Sequence, residues 1–299
     1  SCHQRNVNRR IVLIGGRKTP TKEPSIMIHQ FINYLRYTKR YSENTLRSYN
    51  NALVSFVEYR RSTDLNARWS TTMAIDVQNY LASMVQDGKS NTTICLHASA
   101  IRQAFRFIVM NGGDIDKAIY NVETPKVVKS DAPVIAKEDI EATINDEMIA
   151  TDTRIIIAII ADCGLRISEV LSLRKTSFDK SAKVITINGK GGKTRYAYYS
   201  DRVRDMLNRY KASTSPSDYL FKGDERNIRY RIHMSLRLHS NAPKLSPHII
   251  RHTYATEALN NGMNIAALKM QLGHKDIKST ECYLNHYRLH SYESYRAAL

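Results

Sequence analysis

The chain has 299 residues, and at about 150 residues per domain this length predicts two domains, each able to bury its own core. Its 42% hydrophobic and 24% charged residues are ordinary globular values that exclude collagen-like chains, disulfide scaffolds and wholesale disorder. Lys and Arg number 45 against 28 Asp and Glu, and the net charge of +17 predicts a polyanionic partner, most often nucleic acid. Charge alone does not separate DNA from RNA or from an anionic membrane.

The apolar runs and the cysteines bear on the compartment of the protein. The longest apolar run, residues 155–161, is far shorter than the roughly 20 residues of a membrane span, and the N-terminal region lacks the apolar core of a signal peptide. The four cysteines are far apart and form no CxxC pair, so they predict neither a disulfide framework nor a thiolate zinc site. We therefore expect a soluble, cytoplasmic protein without a membrane partner.

The first part of the chain is predicted to be helical. Residues 1–24 carry six basic residues against one acid and show no sustained periodicity, which indicates a basic N-terminal arm or the stub of a missing domain. Residues 25–120 then place apolar residues at helical spacing in four stretches, the third over residues 74–86 and the fourth over residues 92–111. Four such helices predict a compact helical domain.

The second part of the chain combines helices with a hairpin. Residues 121–136 contain two prolines and no helical repeat, which predicts a linker. The second domain, residues 137–299, begins with a predicted helix over residues 137–145. Residues 183–200 alternate in short β-rich runs around a Gly-Lys-Gly-Gly tip, which is typical of a β-hairpin. Helices follow, with a break near residues 213–217. The predicted fold class is mainly α with a small β-hairpin or sheet in the second domain, an α+β chain.

Four short segments of the second domain carry the residues that suit chemistry. They are CGLRISEVLSLR (residues 163–174), NGKGGKTR (residues 188–195), SPHIIRHT (residues 246–253) and LGHKDIKSTECYLN (residues 272–285). Taken singly, each residue also has a structural explanation: Arg166 as a helix cap, Lys190 as a solvated charge, and each histidine as a core side chain. Only the combination of the four segments indicates a site.

A nucleotide-binding loop and a zinc site are each excluded by the residue at one position of the sequence. The GKGGKT stretch is similar to a Walker A loop, but Ile187 stands where that pattern requires its first glycine, so nucleotide hydrolysis is not predicted. His248 and His252 are spaced to share a metal ion, but Ile249 stands where the HExxH pattern has its glutamate. No carboxylate cluster accompanies the two histidines in the sequence, and no zinc site is predicted.

The four segments together suit reaction at a phosphodiester. A nucleophile that attacks phosphorus builds negative charge on the non-bridging oxygens, and guanidinium groups such as those of Arg166 and Arg251 can neutralise this charge without a metal ion. Lysine and histidine side chains can give a proton to the leaving oxygen and take one from the attacking hydroxyl. Tyrosine suits the role of nucleophile because its phenol, with a pKa of about 10, ionises more readily than an aliphatic alcohol.

These residues, in this order, resemble the tyrosine recombinases of the site-specific recombinase and phage integrase family. The family order is an arginine, a lysine on a β-hairpin, a His-x-x-Arg box, a histidine or tryptophan, and a tyrosine. The matching residues are Arg166, Lys190, His248, Arg251, His274 and Tyr283, with Glu169 at the supporting acidic position. The first domain resembles the SAM-like core-binding domain of the family in residues 45–56 and 91–107, so the resemblance covers about residues 25–290.

The resemblance implies how the bond is cleaved. Tyr283 attacks the scissile phosphate, forms a 3′-phosphotyrosine link and releases a 5′-hydroxyl. Lys190 is the general acid for the 5′-oxygen, and His248 helps to manage the tyrosine proton. A 5′-hydroxyl of a partner strand then reverses the reaction.

The phosphate itself is held by other residues in this scheme. Arg166 and Arg251 clamp it, and His274 donates a further hydrogen bond. Because the covalent link stores the energy of the bond, the resemblance implies that the reaction uses no ATP, no metal ion and no other cofactor.

The implied partners are double-stranded DNA and further copies of the chain. The family assembles as a homotetramer on paired recombination sites, with accessory DNA-bending or directionality proteins, and we expect the protein at the nucleoid. After Tyr283, residues 287–299 place apolar side chains at spacings that can line one helical face. We predict that this helix docks on a neighbouring protomer; the alternative is that it packs on its own domain.

The biological role is predicted less directly than the chemistry. The basic N-terminal segment favours a mobile-element integrase that carries out integration and excision. The alternatives are a Xer-type chromosome-dimer resolvase, an invertase and a nicking-closing enzyme similar to type IB topoisomerases. A DNA-binding protein with a decayed catalytic set is an alternative of a different class, and the intact Tyr283 argues against it. The helical first domain favours a recombinase over a topoisomerase.

Overall fold

The computed structural model describes residues 23–127, 133–188, 194–210, 219–274 and residue 280. Several predicted features lie outside these residues: most of the N-terminal arm, the hairpin tip with Lys190, the break near residues 213–217, and the C-terminal segment with Tyr283. The chain divides into two compact units, Ser1–Lys129 and Ser130–Leu299. Within the described ranges, no helix is both long and apolar enough to cross a membrane.

The first unit contains four α-helices in its described part. They are α1 (Glu23–Tyr37), α2 (Glu43–Thr63), α3 (Ala74–Gln86) and α4 (Asn91–Met110). Helices α2 and α4 begin after Ser42 and Ser90, whose side-chain oxygens each accept a hydrogen bond of 3.3 Å from the backbone N–H three residues later. Gly112 follows the capping residue Asn111 at the end of α4, and its φ of +82° is the left-handed conformation that favours helix termination.

The core of the first unit is built from the apolar faces of these helices and from residues outside them, including Trp69. Leu53 of α2 and Ile101 and Phe105 of α4 are completely buried. Trp69 lies in a short 3-10 turn between α2 and α3, and its ring centroid is 5.4 Å from that of Phe105 and 5.9 Å from that of Phe56. A residue between two helices therefore adds to the core, which helical periodicity alone does not reveal.

The second unit is organised around one buried helix. Its helices are α5 (Lys137–Asn145), α6 (Thr151–Cys163), α7 (Ile167–Leu171), α8 (Asp201–Arg209), α9 (Glu225–Arg237), α10 (Pro247–Asn260) and α11 (Ile265–Leu272). Residues 155–160 of α6 are 0% exposed. Since six successive residues point in all directions around a helix, α6 is enclosed on every side. It packs against α5, α7, α8, α9 and α10.

The described part of the second unit also contains a small antiparallel sheet. Its strands are β1 (Phe178–Asp179), β2 (Val184–Asn188) and β3 (Thr194–Tyr198), in the order β1-β2-β3. Ile185 lies opposite Ala197 and Ile187 opposite Arg195 in the β2–β3 pair. The predicted hairpin and the mainly helical α+β fold class are confirmed. Strand β1 was not predicted, because two residues are too few to show an alternating pattern.

Candidate active site

Arg251 is buried in the second unit, 3% exposed, although it carries a full charge. It lies in the first turns of α10, which begins at the capping residue Ser246 with Pro247 in the first helical position. Its Nη1 donates to the carbonyl of Gly164 at 2.6 Å, and its Nη2 donates to the carbonyl of Leu272 at 2.8 Å. Two backbone carbonyls from distant parts of the chain therefore fix the guanidinium group.

Both carbonyls lie at the C-terminal ends of helices. Gly164 caps the end of α6 and Gly273 caps the end of α11, and their φ values of +66° and +65° are the left-handed conformation that terminates a helix. The C-terminal end of a helix carries a partial negative charge, so each end stabilises the cation that it contacts. These contacts offset the large cost of burying a charged group.

Arg166 is the residue before α7, and Glu169 lies in the first turn of this helix. The backbone N–H of Arg166 donates to Oε2 of Glu169 at 2.8 Å, and Nη1 of Arg166 donates to Oε1 of Glu169 at 3.2 Å and to the Leu272 carbonyl at 3.3 Å. Nη1 of Arg251 is 3.8 Å from Oε2 of Glu169. The side chain of Arg166 is 44% exposed and that of Arg251 is 4% exposed. One guanidinium group of this pair therefore reaches solvent while the other lies below the surface.

A third arginine, Arg195 of β3, joins the same carboxylate. Its Nη2 donates to Oε2 of Glu169 at 2.8 Å, and its Nη1 donates to the carbonyl of Gln271 at 2.7 Å. Burial by itself would raise the pKa of Glu169, but the backbone N–H of Arg166 and the nearby guanidinium groups outweigh burial and lower it. Glu169 is therefore a carboxylate at neutral pH that several arginines share.

Two residues of this site were not among those predicted. Arg195 has a recognisable signal, because it shares the inner face of β3 with Ala197 while its two neighbours are exposed, and a charged residue at an inward position needs a partner. Gln271 had no such signal. Its side chain donates to the carbonyls of Cys163 and Tyr198 at 3.0 and 2.9 Å and accepts from the Tyr198 N–H at 2.9 Å, so it ties the end of α11 to α6 and β3.

His274 follows the glycine that ends α11. Its Nε2 lies 3.0 Å from Nη2 of Arg251, and its Nδ1 lies 2.9 Å from Oγ1 of Thr280. An arginine only donates hydrogen bonds, so Nε2 accepts and the proton of the neutral ring is on Nδ1. Burial, and then the charges of Arg251, Arg166 and Arg195, lower the pKa of His274 to about 4. The ring is therefore neutral at physiological pH in the free protein.

We expect His274 to titrate near pH 4 in the free protein, below the ordinary histidine value of about 6.5. Between these pH values the unfolded chain binds a proton at His274 and the native protein does not, so the free energy of unfolding falls as the pH falls. An NMR titration of the ring protons, assigned with the His274→Gln variant, measures the midpoint. A midpoint near 6.5 would contradict the structure, and the His274→Gln protein should lose part of the acid destabilisation.

His248 lies one helical turn before Arg251 on α10. Burial and the charges of Arg251, Arg166 and Arg229 lower the pKa of its imidazole, in that order of importance. The ring is consequently neutral at pH 7 and able to accept a proton.

The structure thus brings together four of the predicted site residues, Arg166, Glu169, Arg251 and His274, and places His248 where their charges act on it. Lys190 and Tyr283 lie outside the described residues. Three guanidinium groups face one carboxylate, which leaves the cluster with positive charge to stabilise an anion such as a phosphate. Among the residues that the structure describes, no group of three or more His, Cys, Asp and Glu side chains is arranged to hold a metal ion.

Sequence comparison identifies the family of the chain. The sequence model of the Phage integrase family matches residues 135–290. The chain belongs to the phage integrase family. The model of the N-terminal SAM-like domain of phage integrases matches residues 28–112 of the recombinase. Its relatives include the tyrosine recombinase XerD of Oceanobacillus iheyensis, 26% identical over 273 residues that cover 86% of this chain and 92% of the relative.

The recombinase is similar to a further tyrosine recombinase in sequence and to a site-specific recombinase and an integrase in fold. The tyrosine recombinase XerC of Listeria monocytogenes is 28% identical over 285 residues, which cover 89% of this chain and 95% of the relative. The XerH site-specific recombinase in a post-cleavage complex with a palindromic difH substrate has a TM-score of 0.72 at 18% identity, covering 94% of this chain and 98% of that chain. A lambda integrase dimer bound to a COC′ core site has a TM-score of 0.71 at 12% identity, covering 90% of this chain and 81% of that chain. The expected two-domain tyrosine recombinase architecture is confirmed.

Proposed function

We propose that the recombinase cleaves and rejoins double-stranded DNA through a 3′-phosphotyrosine intermediate formed by Tyr283. The observation that carries this proposal is the pair of guanidinium groups of Arg166 and Arg251, which share the Leu272 carbonyl as acceptor. Such a pair matches the non-bridging oxygens of a phosphodiester, whose negative charge grows as a nucleophile approaches phosphorus. The complexes of XerH and lambda integrase with their DNA sites support the same class of partner.

The proposed cleavage step moves two protons. The bond between the Tyr283 oxygen and phosphorus forms while the bond from phosphorus to the 5′-oxygen breaks. The phenolic proton passes to the neutral ring of His248, and Lys190 gives a proton to the leaving 5′-oxygen. Attack by a 5′-hydroxyl of a partner strand reverses these steps. The phosphoester link conserves the energy of the original bond, so rejoining needs no further energy source.

His274 changes its hydrogen bonding in this scheme. In the free protein its Nε2 accepts from Arg251, so this nitrogen has no proton to offer to a phosphate. When a non-bridging oxygen takes the Arg251 donor, Nε2 is released, and the negative charge of the phosphate favours a proton on this nitrogen. His274 then donates to the phosphate, while Oγ1 of Thr280 keeps the orientation of the ring through Nδ1.

Lys190 should matter only while the leaving group needs a proton. We expect Lys190→Ala to slow cleavage of an ordinary phosphodiester about 10²–10⁴-fold. A 5′-bridging phosphorothiolate should be cleaved with a much smaller loss, because a thiolate leaves without protonation. Single-turnover rates on the two substrates measure the difference, with Lys193→Ala as the matched control from the same segment. Equal losses on both substrates would assign Lys190 to phosphate binding and leave Lys193 as the candidate acid.

For the biological role we propose integration and excision of a mobile genetic element, with the basic N-terminal segment as the supporting feature. Similarity to a Tn1549 transposon integrase in complex with transposon right end DNA, with a TM-score of 0.70, adds fold-level support. The second candidate is a Xer-type resolvase, which the relatives named XerD and XerC favour. Both roles require recombination between paired DNA sites, for which we propose a homotetramer, with accessory DNA-bending proteins as further partners.

A strand-exchange assay tests the proposed function. Binding sites are first selected from a pool of random duplexes, and two differently labelled duplexes that carry the selected site are then incubated with the recombinase. Recombinant products that join the two labels are expected, together with a protein–DNA adduct that survives detergent. An adduct with relaxation of a single supercoiled duplex, but without recombinant products, would indicate a nicking-closing enzyme.

Deletion of residues 288–299 should preserve binding to one site and abolish exchange if this segment docks on a neighbouring protomer.

A further inference from the structure

Arg195 links three separate elements of the second unit. It belongs to β3, its Nη2 bonds to Glu169 of α7 at 2.8 Å, and its Nη1 bonds to the carbonyl of Gln271 in the last turn of α11 at 2.7 Å. Its side chain is 19% exposed, so most of it lies inside the protein. These contacts place one guanidinium group between the carboxylate that supports Arg166 and Arg251 and the helix end that precedes His274.

The backbone next to His274 is shaped around this side chain. A Cβ atom at Gly273 would lie 2.3 Å from Nε, 2.5 Å from Cδ and 2.8 Å from Cζ of Arg195. The Arg195 side chain therefore occupies the space that any larger residue at 273 would need. Two hydrogen bonds hold the guanidinium group there, so it cannot move aside without releasing Glu169 or Gln271.

We propose that Arg195 is a positioning residue for DNA cleavage: it sets Glu169 for the Arg166–Arg251 pair and sets the Gly273–His274 turn through Gln271. This inference rests on the proposed function, because it concerns the phosphate-binding role of those side chains. A lysine cannot replace the arginine, since an ammonium group is a point charge and lacks the planar fork that reaches a carboxylate and a carbonyl together. Within the described chain, the buried Nε of Arg195 has no hydrogen-bond acceptor, so the site keeps a guanidinium group despite one unsatisfied donor.

Two substitutions separate the positive charge of Arg195 from the planar arrangement of donors in its guanidinium group. Arg195→Met removes both, and Arg195→Lys keeps the charge alone. The matched control is Arg204→Met, because Arg204 also pairs with carboxylates, those of Asp201 at 2.7 Å and Asp205 at 3.1 Å, on the surface of α8 away from the site. The measured quantities are the single-turnover rate of adduct formation on a nicked suicide duplex, the DNA affinity, and the melting temperature.

We expect Arg195→Met to slow adduct formation about 10²-fold or more and Arg195→Lys about 10-fold or more, with DNA affinity within about threefold of wild type. Arg204→Met should react at nearly the wild-type rate. Arg195→Met reacting as fast as Arg204→Met would overturn the inference. So would a loss that disappears on cooling below the melting range of the variant, because the role would then be purely structural.

The titration of His274 gives a readout that general loss of stability does not produce. The charged groups around its ring are Arg251 of α10, Arg166 and Glu169 at α7, and Arg195 of β3. Removing the Arg195 charge should raise the NMR midpoint of His274, and Arg195→Lys should leave it near the wild-type value. An unchanged midpoint in Arg195→Met would contradict the placement of Arg195 against the turn. Wild-type protein that forms no adduct would overturn the proposed function instead, and this titration would still decide the position of Arg195.

A glycine pair tests the same contact from the other side. Gly273 and Gly262 both have a positive φ, +65° and +87°, but a Cβ atom at Gly262 meets nothing within 4 Å. Alanine is therefore strained by the backbone at both positions, and only Gly273→Ala also displaces Arg195. We expect Gly273→Ala to form adduct at least about 10-fold more slowly than Gly262→Ala. Equal rates in the two variants would overturn the inference.

Discussion

Tyr283→Phe should bind the selected DNA site with nearly wild-type affinity and form no covalent adduct. The substitution removes one oxygen, which is the atom proposed to bond to phosphorus, and leaves the arginine cluster intact. Loss of a covalent nucleophile typically lowers the rate by at least about 10⁴-fold. Gel electrophoresis in detergent after incubation with a suicide duplex measures the adduct. The wild-type protein should form it in the presence of EDTA, because the proposed chemistry uses guanidinium groups where other enzymes use a metal ion.

Tyr254 is a suitable control for the substitution of Tyr283. Tyr254 packs against Gly164 at the end of α6, since a Cβ atom at that glycine would lie 2.5 Å from the Tyr254 ring. Burial raises the pKa of Tyr254 to about 12, which makes its phenol harder to ionise than an ordinary one. Tyr254→Phe should therefore still form the adduct. Adduct formation by Tyr283→Phe and its loss in Tyr254→Phe would assign the nucleophile to the buried tyrosine and refute the proposed mechanism.

Arg251→Lys should slow cleavage about 10²–10³-fold, which corresponds to about 3–4 kcal/mol of lost transition-state stabilisation. The ammonium group of lysine cannot donate to the Gly164 and Leu272 carbonyls and to a phosphate oxygen in one plane. Single-turnover cleavage gives the rate, and binding of an uncleaved duplex gives the affinity, which should change much less. The rate is expected to fall even where the variant remains folded.

The control for Arg251→Lys is another buried arginine outside the site. Arg60 of α2 is 9% exposed and pairs with Asp76 at 2.8 Å in the first unit. Arg60→Lys should lower the melting temperature by a similar amount and leave the cleavage chemistry unchanged. If both variants slowed cleavage equally, the effect of Arg251→Lys would reflect stability alone, and the phosphate-clamping role would be wrong.

Local signals explain what could be predicted of the fold. Residues 74–86 and 137–145 were predicted as helices, and α3 and α5 have those same bounds, because apolar periodicity and polar flanks act within one short segment. Trp69 and β1 could not be predicted, because no local signal in the sequence marks them. Trp69 gains its place from packing against distant residues such as Phe105, and β1 gains its place by pairing with β2. The surrounding sequence shows no repeat in either case.

The same distinction applies to the site. Arg166, Arg251 and His274 could be predicted as site residues because their order along the chain resembles that of the family, and the structure brings the three side chains together. The groups that hold Arg251 are backbone carbonyls, and a carbonyl has no signature in the sequence. Arg195 meets the Gln271 carbonyl across 76 positions of chain, so their contact exists only once β3 and α11 are packed together. The catalytic roles of Arg166, Arg251 and His274, and those of Lys190 and Tyr283, stay predictions.

The complete enclosure of α6 makes this helix the part of the second unit whose hydrogen bonds should open most slowly. An amide hydrogen exchanges with solvent only when its hydrogen bond opens, and a helix covered on all sides opens only when its neighbours come apart. Residues 155–160 of α6 should therefore exchange in the slowest class, with a protection set by global unfolding. Gly164, the residue that caps this helix, carries the carbonyl that holds Arg251. Arg251, which we propose to bind the phosphate, is consequently anchored to the most slowly opening cooperative unit of the domain. Rearrangements that accompany turnover should therefore occur in the elements around α6.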